Sequence, residues 1–285
     1  MRGDLNAALD AANRLIEASP TDGEALMLRA LIHLRRADYK HARRDAQRAA
    51  ELYPDSPQID AASAEIEFQC SWMEGKPQDA LKALEWTLRK DADSVGSHIA
   101  RGQALLVLDK PDDAKKAFEK ALEMDPVSAE ACAELARLEL HENRIVNAKP
   151  WIARAKALNA DSPQVRLAQA QWELATIRPD LAEDLAKGIW EDKAASPTVR
   201  LQALCVLASV SAAREKWRDV DRIIKLMEQI NPGSPEVLVV AAENSFTLGE
   251  PENARSHLSN DDQTLTMLNK PIHPLVVKLI RKKGR

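Results

Sequence analysis

Small side chains recur along this chain every 34 residues, and apolar residues surround them with the three- and four-residue spacing of helices. The repeat is clearest at its closing residues, which are Pro20, Pro54, Ala92, Pro126, Ala160, Ala194 and Pro232, spaced by 34, 38, 34, 34, 34 and 38 residues. A fixed period of 34 residues is typical of helix-turn-helix arrays. The pattern therefore predicts a chain of helix pairs in which each pair touches its neighbours.

When each repeat is numbered 1 to 34 with its closing residue at position 32, small residues mark one site in each helix. Position 8 of the first helix reads Ala30, Ala64, Gly102, Ala136, Ala170, Leu204 and Ala242, and position 20 of the second helix reads Ala8, Ala42, Ala80, Ala114, Ala148, Ala182, Val220 and Ala254. Two antiparallel helices in close contact leave no room between their axes for a larger side chain. We therefore expect these positions to lie where the helices of a pair meet.

Residues that favour the start of a helix mark both helices of the repeat. The second helix is expected to begin at position 17, which holds Leu5, Tyr39, Pro77, Pro111, Ile145, Pro179, Trp217 and Pro251. Proline fits the first turn of a helix because its missing N–H is not needed there. Four repeats open with Ser-Pro, at Ser56, Ser162, Ser196 and Ser234, and the serine hydroxyl is expected to cap the first helix.

Two repeats, residues 57–94 and 197–234, contain 38 residues rather than 34. The extra residues lie between the core of the first helix and the start of the second. Because four residues make about one helical turn, we expect the first helix of both repeats to be one turn longer, with its faces kept in register.

These features resemble the tetratricopeptide repeat family over residues 3 to 258. The resemblance rests on the small-residue sites, the closing prolines and the turn residues Gly3-Asp4, Gly75 and Gly249-Glu250. It is strongest in VGSHIARGQALLVLDKPDDAKKAFEKALEMDPVS, which carries Gly102, Leu105, Ala114, Phe118, Ala121 and Pro126. It implies an all-α fold, a right-handed α-solenoid of antiparallel helix pairs. The family's aromatic residue at position 4 is missing, and its leucine at position 7 is replaced by Arg29 and Arg101.

The repeat divides the chain into three segments. Residues 1–22 form a half repeat with a second helix only, residues 23–258 form seven repeats, and residues 259–285 form a C-terminal capping segment with a basic tail. The half repeat indicates either a piece of a longer protein, which we favour, or an N-terminal cap of the kind that arrays need. In the last segment a short amphipathic helix is expected from Pro274 to about Lys282.

Composition and motifs favour a protein that is not an enzyme and has no metal or cofactor. The six histidines include no pair at i and i+4, and phosphate-loop, G-x-S-x-G and Cys-x-x-Cys motifs are missing. The formal charge of −4 offers no strong field for nucleic acid. Cys70, Cys132 and Cys205 are expected to be small buried residues rather than a disulfide framework.

The sequence predicts no membrane span, because no run approaches about 18 apolar residues. The first residues also lack the apolar core of a secretion signal. The compartment stays open: the cytoplasm is favoured, and the periplasm follows if a signal or anchor precedes this sequence.

The resemblance implies that the first helices line a concave groove, in which positions 2, 5, 9, 12 and 13 face a ligand. Position 12 is apolar in every repeat and position 9 is often Gln or Glu, which suits a helix or extended segment of a partner protein. The alternative for position 12 is packing against its own second helix or the next repeat. The predicted partner-binding residues are Glu65, Phe68, Gln103, Leu106, Arg137, His141, Gln171 and Leu174.

The sequence therefore predicts a non-catalytic protein-interaction scaffold. The alternative is the repeat region of a larger enzyme or envelope-assembly protein, which would position a catalytic or membrane-anchored domain. Binding of chaperone tails is disfavoured, because the family's carboxylate clamp of Lys, Asn and Arg is missing. A homo-oligomer through the N-terminal half repeat is a further prediction. For the groove, Arg137→Glu with Leu174→Asp is expected to abolish partner capture and leave helicity and melting unchanged.

Overall fold

The computed structural model describes residues 2–90 and 94–230, together with residues 237, 240, 241, 244 and 245. Every regular element in these ranges is an α-helix, which confirms the all-α fold, and none of these helices is both long and apolar enough to cross a membrane. The helices are α1 (Arg2–Ala18), α2 (Gly23–Arg35), α3 (Tyr39–Leu52), α4 (Pro57–Met73), α5 (Pro77–Lys90), α6 (Val95–Val107), α7 (Pro111–Met124), α8 (Ala129–His141), α9 (Ile145–Asn159), α10 (Pro163–Ala175), α11 (Pro179–Glu191), α12 (Pro197–Ala213) and α13 (Trp217–Ile230). The predicted cap at Ser234 and helix at Pro274 lie outside the described residues.

From α2 onward the described helices form six pairs that follow the repeat. Three residues connect the two helices of each pair, and so short a connection favours an antiparallel arrangement. Helix α2 packs on α3, α4 on α5, α8 on α9, α10 on α11 and α12 on α13. All six first helices begin at the repeat boundary and all six second helices begin at position 17, as predicted.

The helix starts follow the prediction with two exceptions. Ser56 and Ser196 accept hydrogen bonds through Oγ from the N–H three residues later, at 3.4 and 3.3 Å. Ser162 instead donates its hydroxyl to Gln164 Oε1 at 3.0 Å, so its prediction as a cap is wrong. The predicted turn at Gly3-Asp4 is also wrong, because α1 begins at Arg2 and runs through both residues.

Each of the six described helix pairs turns through one residue with a left-handed backbone. These residues are Ala37, Gly75, Asp109, Asn143, Ile177 and Glu215, with φ between 58° and 71°. Only one of them is glycine, although an L side chain costs roughly 1–2 kcal/mol in this region. Ile177 is the most unusual, because a branched Cβ disfavours positive φ most strongly. Packing of the two helices therefore sets the turn, whichever residue stands in it.

The first helices of the two 38-residue repeats are longer, as predicted. Helices α4 and α12 contain 17 residues each, whereas α2, α6, α8 and α10 contain 13. The residue that follows each longer helix pairs with the second helix of the preceding repeat. Arg43 of α3 donates through Nη1 to Glu74 Oε1 at 2.8 Å, and Arg214 pairs with Glu183 of α11. Glu74 and Arg214 hold equivalent repeat positions, and so do Arg43 and Glu183. The acidic and basic partners are therefore exchanged between the two pairs.

The chain divides into two compact units, residues 1–105 (unit 1) and residues 106–285 (unit 2). The core of unit 1 includes Leu26, Ala30 and Ile66, from α2 and α4, together with alanines of α3. A larger core in unit 2 includes Ile189 and Leu204, from α11 and α12. Throughout the six described helix pairs, positions 8 and 20 are buried, which confirms that the small residues lie where helices meet.

Candidate functional site

The first helices present an accessible row of side chains that is narrower than predicted. Position 9 is not buried in any of the six described repeats. Position 5 is buried in five of them, by Met27, Ile99, Ala133, Leu167 and Leu201, so its prediction as a ligand-facing position is wrong. Positions 5, 8 and 12 are spaced by three and four residues, so they share the helix face that packs on other helices.

Position 12 follows the packing alternative in four of the six described repeats. Leu34 and Leu140 pack against the cores of their units, and Leu174 and Ala208 are members of a core. Leu174 is only 1% exposed, so its prediction as a partner-binding residue is wrong. Leu174→Asp would place a carboxylate in the core at a cost of several kcal/mol, so we expect the variant with Arg137→Glu and Leu174→Asp to melt at a lower temperature than the wild type.

In unit 1 the accessible row is mainly apolar. Leu28 and Leu31 lie one turn apart on α2 and are 47% and 45% exposed. Helix α4 packs beside α2 and carries Glu65 and Phe68. The Phe68 ring lies 6.0 Å from the Trp72 ring, between centroids, at an angle of 32°. We call Leu28, Leu31, Glu65 and Phe68 the unit 1 surface.

In unit 2 the accessible row is polar. Arg137 of α8 donates through Nε to Gln171 Oε1 of α10 at 3.2 Å, and the two residues hold the same position in consecutive repeats. Its Nη1 also donates to both carboxylate oxygens of the buried Glu134, at 2.8 and 3.0 Å. His141 lies exposed at the end of α8, with Nδ1 3.3 Å from Glu142 Oε1. We call Arg137, His141 and Gln171 the unit 2 surface.

Two carboxyl groups beside Arg137 complete this polar cluster. Glu134 holds the guanidinium, and Glu130 lies one turn earlier on α8. Burial raises the pKa of Glu130, the charge of Glu134 acts in the same direction, and Arg137 opposes both. The sequence placed Glu130 at position 2, among the predicted ligand-facing positions, but gave no role to Glu134, because helical carboxylates are usually solvated. The available signal was a glutamate three residues before an arginine on one helix face.

Of the eight predicted binding residues, Glu65, Phe68 and Gln103 belong to unit 1, and the other five belong to unit 2: Leu106, Arg137, His141, Gln171 and Leu174. Arg137 and Gln171 are joined by a hydrogen bond, and Glu65 and Phe68 lie together on α4. Gln103 and Leu106 are half-buried on α6, which contains the boundary between the two units.

The cysteines behave as packing residues. Within the described chain no disulfide joins them, and Cys70 and Cys132 are buried whereas Cys205 is half-buried. Burial raises the pKa of the Cys70 thiol to about 11 and raises that of Cys132. A thiol with a raised pKa is a poor nucleophile at neutral pH, so neither buried cysteine has the environment of a reactive one.

Two family models match the chain, and both describe tetratricopeptide repeats. One matches residues 2–57 and the other matches residues 108–171. The chain is built of tetratricopeptide repeats. Tetratricopeptide arrays are in general scaffolds for protein interaction and typically lack catalytic groups, and this chain has their architecture of stacked helix pairs.

Solved structures share the tetratricopeptide fold of this chain. A chain of the Cut9–Hcn1 hetero-tetramer of APC/C gives a TM-score of 0.61 at 12% identity, over 97% of this chain and 52% of that one. PilW, a type IV pilus biogenesis factor, gives a TM-score of 0.54 at 17% identity, over 70% of this chain and 91% of PilW. A tetratricopeptide repeat protein from Parabacteroides merdae gives a TM-score of 0.50 at 16% identity, over 91% of this chain and 97% of that protein. This chain spans about half the length of the Cut9–Hcn1 chain. At these identities the likeness shows the fold alone, and no curated protein sequence matches.

Proposed function

We propose that this tetratricopeptide array is a non-catalytic scaffold that binds a helix or an extended segment of a partner protein against its first helices. The observation that carries the proposal is the apolar pair Leu28 and Leu31 of the unit 1 surface. Both side chains are nearly half exposed on one helix face, beside the helix that carries Phe68. Covering them would contribute roughly 25 cal/mol for each Å² of apolar surface removed from water.

The unit 1 surface favours a partner with apolar anchors. Leu28 and Leu31 are three residues apart, so a partner helix would meet them with apolar residues at i and i+3 or i+4. Glu65 lies beside Phe68 on α4 and is half-buried. Its Oε1 accepts a hydrogen bond from Gln69 Nε2 at 2.5 Å, and the negative charge of the carboxylate favours a basic or amide side chain of the partner next to those anchors.

The unit 2 surface is a second candidate binding surface, and it is polar where the unit 1 surface is mainly apolar. The guanidinium of Arg137 is held in place by Glu134 on one side and by Gln171 on the other. A guanidinium that is already fixed loses little side-chain entropy when it donates to a ligand. We therefore propose that Arg137 and Gln171 bind backbone carbonyl groups or a carboxylate of an extended segment.

The proposal is tested by capture of partners from a lysate of the source cell with the full chain as bait. The test variant is Leu28→Glu with Leu31→Glu, which adds two carboxylates to the unit 1 surface without opening a cavity. The matched control is Val127→Glu with Val146→Glu, at valines that are 68% and 83% exposed and that belong to no first helix. Arg137→Glu is unsuitable, because it would leave the buried Glu134 without its cation.

We expect the wild type and the control to capture at least one protein in equal amounts. The captured amount of that protein should be about tenfold lower with the test variant. Circular dichroism and the melting temperature should agree among the three chains. Identical capture by all three would contradict binding at the unit 1 surface. That result would favour the alternative, in which the array positions a catalytic or membrane-anchored domain outside these residues.

A further inference from the structure

Two imidazoles and a carboxylate meet at the turn between α2 and α3. His33 lies in the last turn of α2, Asp38 is the N-cap of α3, and His41 lies in the first turn of α3. Asp38 Oδ2 is 3.3 Å from His33 Nδ1, and Asp38 Oδ1 is 2.8 Å from His41 Nδ1. One ligand atom from each residue lies within 4.8 Å of the other two.

The repeat turn itself brings these three positions together. The N–H of Asp38 donates to the carbonyl of His33 at 2.9 Å across the left-handed residue Ala37. The equivalent residues of the repeat that begins at Ala129 are Glu139, Arg144 and Asn147. There Arg144 Nε and Asn147 Nδ2 contact Glu139 Oε2 at 2.6 and 3.4 Å. The repeat turn therefore brings these three positions together in both repeats, whereas the histidine and aspartate side chains stand there in the first full repeat.

His33 has a shielded ring nitrogen without a hydrogen bond in the described part of the chain. Its Nδ1 is shielded from solvent and makes no hydrogen bond within the described residues, although Asp38 lies close. Buried ring nitrogens in native proteins nearly always have a partner, and an exception calls for a water or an ion. A bound cation between His33, Asp38 and His41 would supply that partner.

The surroundings of His33 also resemble those of a metal-binding imidazole. Its Nε2 lies 4.0 Å from Asp45 Oδ2, and Asp45 is held in turn by Arg29 at 2.6 and 2.8 Å. A carboxylate behind an imidazole orients the ring and favours a proton on the nitrogen that faces it. That arrangement leaves Nδ1 of His33 as the lone-pair donor on the side of Asp38.

We propose that His33, Asp38 and His41 form a binding site for a divalent transition-metal ion, with Zn²⁺ as the ion to test. Imidazole and carboxylate are ligands that Zn²⁺ accepts, at about 2.0–2.2 Å from the metal. The His33 and His41 rings are stacked with centroids 5.2 Å apart, so one ring must rotate for both Nδ1 lone pairs to converge. His41 is exposed and can do so, and zinc would bind the form of its ring in which Nδ1 carries no proton.

Three protein ligands would leave a fourth position for water, as in open zinc sites. Asp38 and His41 have side chains 38% and 51% exposed, so the ion can enter from solvent. The sequence prediction of no metal site considered histidine pairs within one helix only. The residues at i, i+5 and i+8 meet here because a three-residue turn folds α3 back on α2.

The proposal is tested by isothermal titration of the chelator-treated full chain with zinc chloride. We expect one ion to bind per chain and the melting temperature to rise with added zinc. The variant His41→Gln should weaken zinc binding by more than about 100-fold, since even outer-sphere partners account for 10–100-fold. The matched control is His141→Gln, which removes an exposed histidine beside a single carboxylate, Glu142, and should bind zinc like the wild type.

His41→Gln is an exposed substitution that keeps a side-chain donor for Asp38, so its melting temperature without zinc should stay close to that of the wild type. Absence of zinc binding to the wild type would overturn the proposal. So would equal binding by the wild type and His41→Gln, because the ion would then be held elsewhere. An equal loss for His41→Gln and His141→Gln would overturn it too, by showing that exposed histidines bind zinc without a built site.

Discussion

At the scale of single residues, Glu130 shows how a common surface residue becomes costly inside an array. Its repeat position, the second of the first helix, is occupied in the first full repeat by Glu24, which is exposed. Glu130 instead has a raised pKa, because of burial first and the charge of Glu134 second. The same residue at the same position of α2 and α8 therefore has two different environments.

The raised pKa of Glu130 predicts a pH-dependent gain from Glu130→Gln. The Glu130 carboxyl group has a higher pKa in the folded state than in the unfolded state. The free energy of unfolding therefore decreases as pH rises from the unfolded-state pKa of Glu130 through its folded-state pKa. Above that window the penalty is complete, and below pH about 4 both states are protonated. We expect Glu130→Gln to raise the melting temperature at pH 7 and to leave it unchanged near pH 3.5.

The matched control for this prediction is Glu24→Gln, at the equivalent position of α2. It removes a carboxylate from the first turn of a helix, where a negative charge is favourable by a few tenths of a kcal/mol. Its melting temperature at pH 7 should therefore stay the same or fall slightly. A gain of equal size for both variants would show that the environment of Glu130 is not the cause.

Particular residues show what the sequence could and could not predict. Helix starts were predictable because position 17 and the Ser-Pro pairs act locally. The burial of Leu174 was not, since it depends on how α11 and α12 pack around α10. Arg29, which departs from the family's leucine, forms two hydrogen bonds with the buried Asp45. That compensation lies 16 residues away in sequence and has no local signal.

At the scale of helices, the extra turns of α4 and α12 are more than added length. Arg43 contacts Glu74 just after α4, and it also contacts Glu67 and Ser71 within α4, at 2.9 and 3.1 Å. These contacts tie the lengthened helix to the second helix of the preceding repeat. The four described 13-residue first helices end before this point, so among the described repeats the pairing is specific to the 38-residue ones.

A double-mutant cycle with Arg43→Met and Glu74→Gln measures this connection. Both side chains are about one quarter exposed, so solvent screens the pair in part. We expect a coupling energy of roughly 1 kcal/mol from urea denaturation, and a smaller value at high salt. Additive effects of the two substitutions would contradict a direct contribution of the pair.

At the scale of the whole molecule, the array has separate cores whose stabilities need not change together. Repeats in a solenoid contact only their neighbours, so a local loss is felt first nearby. Unit 1 has Leu26 in its core and unit 2 has Leu204, each less than 4% exposed. Self-association through α1 stays a prediction at this scale.

Leu26→Ala and Leu204→Ala form a reciprocal pair for native-state hydrogen exchange. Each should lower the local free energy of unfolding by roughly 2–5 kcal/mol, through lost burial and the cavity that remains. We expect Leu26→Ala to accelerate exchange in α2, α3 and α4, and Leu204→Ala to accelerate it in α10, α11 and α12. Equal acceleration throughout the chain by either variant would show that the chain unfolds as a single cooperative unit.

The opposite charges of the two lengthened repeats have a consequence for folding. Similar repeats in one chain can dock against the wrong neighbour while the chain folds, and such misassembly is a hazard of repeat proteins. If α12 docked in place of α4, Arg214 would meet Arg43, and if α4 docked in place of α12, Glu74 would meet Glu183. Each exchange brings like charges together. The exchanged charges of the two pairs thus favour docking of α4 on α3 and of α12 on α11, although α4 and α12 have equal length. They thereby favour the native order of repeats.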